Sequence, residues 1–582
     1  MTPAAPPSSV THTSAGASAR LREWVLDWTI PMALLLGAAY LAHVRWAKGR
    51  GIAEIFLLDQ DFPVVWGTLL AIVLLAFWTT RGSTFAPRPP SMRIAGGAML
   101  IILLMAWAGR TIVFQDYSLS RDEEMAEFAA AYMRAGHLAW PIPPEWVNYR
   151  RALVPEFFSP FGATHYWAAT YLPVNSAIRA LFDGLGDPDL AAPVLLAVGL
   201  AALWHNARLL FPDRPDAQWV TLLLAFTSAQ LLVTAMTPYA MTGHFAFNML
   251  WLAAILRGGW RGHGAAAIVA VLAGGLHQWH FVLLFIVGFL FWFALNRRWA
   301  ALAFHALVCV VIVALWAKLW PALLIDLYGP ASDIRPSAGV ADKISSLFGR
   351  VFRSWYPLAY SVRFIAWNNL LLIPLAVLAV LSAGWRGLFR GDTPVLPLAL
   401  GCAAGAALMT AQVYGWGFRY MHGYIGSFCL LGGYGWIALS RQGRLPLRLL
   451  ATACVLACCS TAFLAWRAHL WVAPYAAADR LIRSSPTDLV IVDPRGGVYA
   501  TDLARSQHGR FVRPLVLSLG MLDTASIDRL CAGYSVALFD RAAFLPLGIP
   551  PARVQAGALA TLRAHMDSIG CGMPLRQSVL NR

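Results

Sequence analysis

Thirteen mainly apolar stretches recur along this chain, near residues 24-43, 62-79, 95-114, 189-207, 217-236, 242-256, 264-279, 281-295, 299-320, 366-384, 394-413, 422-439 and 446-466. Each is close to the roughly 20 residues that carry an α-helix across the hydrocarbon of a bilayer. Inside lipid a backbone must satisfy its own hydrogen bonds, and for runs of this length the helix is the element that does so. The expected fold class is a polytopic α-helical membrane protein of about 13 transmembrane helices, with a small C-terminal α/β extramembrane domain. Composition agrees, because 59% hydrophobic and 13% charged residues is too apolar for a globular protein in water. The net charge of +16 could suggest nucleic acid. The arginines, however, sit in short clusters between apolar runs, as topology signals do, so membrane lipid is the implied partner and nucleic acid is excluded.

Those clusters also orient the chain. With a cytoplasmic N-terminus, the inner loops hold Arg81/Arg88/Arg93, Arg208/Arg214, Arg257/Arg261, Arg297/Arg298, Arg386/Arg390 and Arg441/Arg444/Arg448. The outer connections at 237-241 and around 280 hold no Lys or Arg, and 414-421 holds only Arg419. This is the asymmetry of the positive-inside rule. Arg45, Lys48 and Arg50 run against it, between the first two helices. The expected organisation is a disordered cytoplasmic tail at 1-19, a membrane domain at 20-466 and an external domain at 467-582, with two further external loops at 115-188 and 321-365. Only Lys48, Lys318 and Lys343 among the 45 basic residues are lysine, a bias that GC-rich bacterial coding produces, so the expected location is a bacterial inner membrane with a periplasmic C-terminal domain. Strand-like runs at 488-493 and 536-540 predict the α/β character of that domain. Its cysteines, Cys531 and Cys571, lie on an oxidising side, where they can form a disulfide or stay as two thiols.

The richest polar segment is Ser118-Leu-Ser-Arg-Asp-Glu-Glu-Met-Ala-Glu127, a few residues beyond the third apolar run. Ser120 with Glu123 fits a capping box, and Met125, Phe128, Ala129, Tyr132 and Met133 recur at helical spacing, which predicts an interfacial amphipathic helix with Asp122 in its first turn. Acids favour helix N-termini simply because they complement the macrodipole. An acid at headgroup depth can also meet a lipid-linked phosphate. His277-Gln278-Trp279-His280 forms an outer turn, His244 opens a helix on the same side, and Arg419 and His422 occupy a late outer turn. Each alone is readable as an interfacial anchor or a satisfied cap. His277 and His280 with a carboxylate can bind a transition metal, but they straddle a turn rather than share a helical face, so no metal set is assigned. Arg350 and Arg353, three apart in the loop that also holds Asp326, Asp333 and Lys343, can face one phosphate if helical, or else form a solvated face.

The pattern resembles the GT-C superfamily of membrane glycosyltransferases, in particular the branch of protein O-mannosyltransferases and the lipid A aminoarabinose transferase. The motif carrying it is Ser120-Arg-Asp-Glu-Glu124 in the first large external loop. Trp140-Pro-Ile-Pro-Pro-Glu-Trp146, Tyr171-Leu-Pro-Val-Asn175, Gly275-Leu-His-Gln-Trp-His280 and Gly417-Phe-Arg-Tyr-Met-His422 look like segments of less characterised bacterial members. The likeness covers roughly residues 95 to 470, and two extra helices before the acidic loop depart from the simplest layout. It implies transfer of a hexosyl or pentosyl group, with inversion, from a polyprenyl-phosphate donor to a glycan, lipid or protein acceptor. Asp122 would be the catalytic acid-base with Glu123 beside it. Arg419, His277 and His280, with Arg350 and Arg353, would meet the donor phosphate; His244, Gln278, His422 and Tyr171 would line the acceptor side of the pocket. No cofactor is required, and nothing in the residues indicates a divalent cation. Two other readings compete: an O-antigen ligase or polymerase-like glycan transferase, centred on the late Arg/His turn, and a transporter or lipid flippase, which would use the polar Asn368, Asn369 and Gln412 in or near spans.

Overall fold

The computed structural model describes residues 14–47, 56–79, 88–155, 157–161, 165–330, 356–408, 415–440, 446–505, 511–552 and 557–575. Among the described residues, helices occupy most of each apolar stretch. Among the described residues seven are long and apolar enough to cross a membrane, including Met92–Ile112, Pro188–Leu210 and Leu447–Arg483. Shorter ones, such as Met241–Arg257 and His280–Leu295, pack in the same continuous apolar core.

Three stretches differ from expectation, each for a physical reason. The run at 217-236 is two helices, Pro215–Phe226 and Ala229–Thr234, broken at Thr227 and Ser228. The run at 366-384 likewise begins only at Leu372, because the preceding helix, Tyr356–Ala366, ends before Asn368 and Asn369. A helix break within a membrane bundle exposes backbone groups that must find partners, and these two breaks satisfy one another. Ser228 donates to Asn368 Oδ1 at 2.7 Å, Asn369 donates to Thr227 Oγ1 at 3.1 Å, and the Gln230 N–H donates to the Trp367 carbonyl at 2.9 Å. Asn368 and Asn369 thus join helices. The third difference is at the last span, which does not stop at 466 but runs from Leu447 to Arg483, 37 residues. At 1.5 Å per residue this is about 55 Å, longer than the bilayer is thick, so the helix itself carries the C-terminal domain clear of the membrane-spanning part.

Two small sheets form the layer outside the bundle. Strands β1 (Trp140–Pro141), β2 (Phe158–Phe161) and β3 (Tyr166–Ala169) pair antiparallel in the order β1-β3-β2. Strands β4 (Leu489–Val492), β5 (Leu515–Ser518), β6 (Val536–Phe539) and β7 (Met573–Pro574) form a parallel sheet in the order β5-β4-β6-β7. Leu-Val-Ile-Val, Leu-Val-Leu-Ser and Val-Ala-Leu-Phe have no polar alternation because both of their faces are covered. Cys531 and Cys571 are joined by a disulfide. One apolar cluster unites this domain with the helix Arg121–Arg134: Met125, Phe128 and Tyr132 pack with Leu489, Ile491 and Leu517. At about 1.5–3 kcal/mol for each large apolar side chain buried, this contact fixes the helix against the domain.

Residues 57–61, just before the second helix, lie on the same side. Asp61 pairs with Arg363 at 2.9 Å, in the last turn of Tyr356–Ala366, and Asp59 lies 3.9 Å from Arg467, midway along Leu447–Arg483.

Candidate active site

The helix Arg121–Arg134 begins with the expected capping box. Glu123 Oε2 accepts from the Ser120 N–H at 2.8 Å and from its hydroxyl at 3.0 Å, while Oε1 accepts from the Trp416 indole at 3.3 Å. Glu123 therefore faces the protein, and its side chain is 1% exposed. Burial raises its pKa more than the Ser120 hydrogen bonds and the Arg110 charge lower it. Asp122, one residue earlier, points the other way. Its side chain is 23% exposed. Two consecutive acids at a helix start thus take different partners, Glu123 holding the cap and Asp122 meeting side chains from later segments.

Arg121 and the C-terminal domain anchor this helix start. Arg121 pairs with Glu124, donates to the carbonyls of Thr501 and Ala504, and its N–H reaches Asp502 at 3.3 Å. Arg505 returns the contact, donating to the Ser118 carbonyl at 2.9 Å and the Tyr117 hydroxyl at 3.0 Å. On the other side, Arg110 bonds Glu127 at 2.7 Å and Ser118 at 3.2 Å.

Arg419 reaches Asp122 from nearly 300 residues away. Its Nη1 and Nη2 both donate to Asp122 Oδ2 at 3.0 Å. The turn that delivers it is glycine-dependent: Gly415 has φ +130°, Gly417 has φ +64°, and a Cβ at Gly415 would meet the Arg419 side chain at 2.5 Å. Gln230 clasps this turn, donating to the Phe418 carbonyl at 2.6 Å and accepting from its N–H at 3.3 Å, and Arg363 donates to the Gly415 carbonyl. The guanidinium then lies 4.5 Å from the centre of the Tyr239 ring and 6.0 Å from that of Tyr420. Its Nε has no hydrogen-bond partner among the described residues.

The second Asp122 oxygen accepts from the Tyr171 hydroxyl. Tyr171 in turn packs on His277, with ring centres 4.4 Å apart. Backbone bonds bring the two segments together: Leu172 N–H to the His277 carbonyl at 3.2 Å and Val174 N–H to the Gly275 carbonyl at 2.8 Å. Burial by itself would raise the Asp122 pKa. The Arg419 charge, the Tyr171 hydrogen bond and the nearby His277 outweigh it and hold the carboxyl below its ordinary range. Burial and the adjacent carboxylate both push the Tyr171 phenol upward, so it stays a donor.

The remaining predicted residues form a deeper layer. His244 is buried and stacks on Phe281 at 4.8 Å, His280 stacks on the same ring at 4.9 Å, and His422 is fully buried. Both ring nitrogens of His244 and of His422 lack hydrogen-bond partners among the described residues. Gln278 is half-buried in the His277 turn. Among the described residues no group of three or more His, Cys, Asp or Glu side chains is placed to hold a metal ion. Arg350, Arg353, Asp333, Lys343 and Gln412 lie outside the described residues. Sequence reasoning missed Tyr239, Trp416, Gln230 and Arg363. Tyr239 was findable, since it stands in an outer connection free of Lys and Arg.

No protein-family model matches the chain, and no curated protein does. Among solved structures there is a similarity. The chain resembles ArnT from Cupriavidus metallidurans. With its apo crystal structure it shares 13% identity, over 73% of this chain and 86% of that one, at a TM-score of 0.43. With the crystal structure bound to undecaprenyl phosphate it shares 14% identity, over 76% of this chain and 91% of that one, at a TM-score of 0.45.

Proposed function

We propose that this protein is a GT-C type glycosyltransferase that moves a hexosyl or pentosyl group from a polyprenyl-phosphate donor to an acceptor at the outer face of a bacterial inner membrane, with the N-terminus cytoplasmic. The observation that carries this reading is the pairing of Asp122 with Arg419 at the start of the interfacial helix. It joins the early acidic loop to the late Arg/His turn in one site.

The chemistry follows from what each group can exchange. Without donor, Arg419 spends two N–H groups on Asp122 and keeps Nε spare. A donor phosphate competes for the guanidinium, since charge-assisted bonds to phosphate are among the strongest it can make. As Arg419 turns to the phosphate, Asp122 loses its main counter-charge, and burial makes it a better proton acceptor. The acceptor O–H or N–H then attacks the anomeric carbon, the bond from that carbon to the phosphate oxygen breaks, the proton passes to Asp122 and polyprenyl phosphate departs. A single displacement of this kind inverts the anomeric centre. Arg419 stabilises the negative charge that develops on the leaving phosphate. Tyr171 keeps Asp122 aimed, and His277 backs Tyr171.

The test is to incubate the purified protein with radiolabelled polyprenyl-phosphate sugars and follow released polyprenyl phosphate. Release by the wild type, and a fall of about 10² to 10⁴ in Asp122→Asn with membrane insertion intact, supports the reading. Flux of an intact lipid or sugar across proteoliposomes without any covalent product would refute it.

A further inference from the structure

Outside the proposed transfer site lies a second, half-open cavity of about 290 Å³. It forms where Phe56, Asp59 and Gln60, just before the second helix, meet the long helix Leu447–Arg483, and the C-terminal domain lines it with Gly548 and Pro550. Its size is near the lower end of small-molecule pockets, which run from roughly 300 to 1,000 Å³, so it admits about one ring.

Its lining is chemically mixed. Phe56 and Trp471 form an aromatic corner, their ring centres 5.8 Å apart. Asp59 and Arg467 stand beside it as a loose pair, 3.9 Å apart, and Gln60 adds an amide. The site therefore offers an apolar face, a carboxylate acceptor, and guanidinium and amide donors in one small volume. An anion would meet Asp59 as well as Arg467 and gain little from the cavity. A neutral polyol matches all of it, because its C–H face packs on the rings while its hydroxyls both donate and accept.

We propose that this cavity is a binding subsite for a neutral sugar ring. On the transferase reading above, on which this role rests, the ring belongs to an acceptor glycan. The two sites are separated by one aromatic layer: Phe56 contacts Trp416 at 5.9 Å, and Trp416 bonds Glu123, the neighbour of Asp122. A glycan anchored at Trp471 thus lies on the same face of the bundle as the reacting centre.

The experiment is a binding titration on the full chain in lipid nanodiscs, since an alkyl glycoside detergent would itself present sugar rings. The probes are the methyl glycosides of glucose, galactose, mannose and N-acetylglucosamine, and inorganic phosphate, read by calorimetry and by tryptophan fluorescence. Saturable binding of at least one glycoside is expected, weakened about tenfold in Asp59→Asn, a near-isosteric change at a largely exposed side chain. Trp471→Ala, which removes the aromatic face, should also weaken it, and Asp122→Asn should leave it unchanged. Absence of glycoside binding overturns the proposal. Phosphate binding that is lost in Arg467→Gln, or glycoside binding sensitive to Asp122→Asn but not to Asp59→Asn, overturns it equally. Because no turnover is measured, failure of the transferase reading would leave these binding results standing, and the two failures are distinct.

Discussion

The buried pair Asp61–Arg363 offers a way to separate stability from site geometry. Asp61 Oδ2 accepts from Arg363 Nε at 2.9 Å and its Oδ1 from the Trp367 indole at 2.8 Å, with side chains 0% and 4% exposed for the pair. Asp61→Asn preserves shape and can still accept from Trp367, but it leaves the Arg363 charge buried without a counter-ion. Breaking one side of such a pair costs about 3–5 kcal/mol, whereas replacing both partners by apolar residues is often close to neutral. Asp61→Leu/Arg363→Met should therefore regain most of the stability lost in Asp61→Asn. It should not regain turnover, because Arg363 also holds the Gly415 carbonyl at the head of the Arg419 turn. A shift of about 1 Å in a positioned group can lower rate about 10²-fold. The assays are reversible unfolding in mixed micelles and release of polyprenyl phosphate, run on the same preparations. Asp61→Asn as stable as wild type, or a double variant with both stability and turnover restored, would refute the reasoning.

Three other outcomes are expected. Arg419→Lys, which keeps a charge but loses the planar fork and the spare Nε, should raise the donor KM by about tenfold or more; unchanged donor affinity would remove its phosphate role. Arg505→Ala removes donors to the Ser118 carbonyl and the Tyr117 hydroxyl, so limited proteolysis should release the C-terminal domain more readily, and turnover should fall with it. Reducing the Cys531–Cys571 disulfide, which closes a 40-residue separation, should destabilise that domain by about 4 kcal/mol, read as a lower Tm for it in the presence of reductant.

What could be read beforehand was set by local patterns. Apolar length marked most helices of the bundle but not Tyr356–Ala366, which lies in the expected loop at 321-365; the capping box marked the start of the acidic helix, and the two apolar strand-like runs marked β4 and β6. Where two polar residues interrupt an apolar run, as at Thr227-Ser228 or Asn368-Asn369, hydropathy averages over the break, because the bonds that make it tolerable come from a distant segment. The site divides in the same way. Asp122, His277 and Arg419 stood out as polar groups expected at one membrane face, but nothing local shows that Arg419 and Tyr171 hold opposite oxygens of Asp122. Nor does spacing separate Asp122 from Glu123; only the direction each side chain takes from the helix start does so. The length of the last helix was hidden because its outer half, 467-483, is polar enough to read as the start of a soluble domain.

The proposed transfer requires Asp122 and Arg419 to act as one unit on the donor. A double-mutant cycle in single-turnover donor cleavage, with Asp122→Asn, Arg419→Gln and both together, measures this directly. If the two side chains share one step, the double variant is scarcely slower than the worse single variant. Losses that simply multiply, or wild-type cleavage in either single variant, would contradict it.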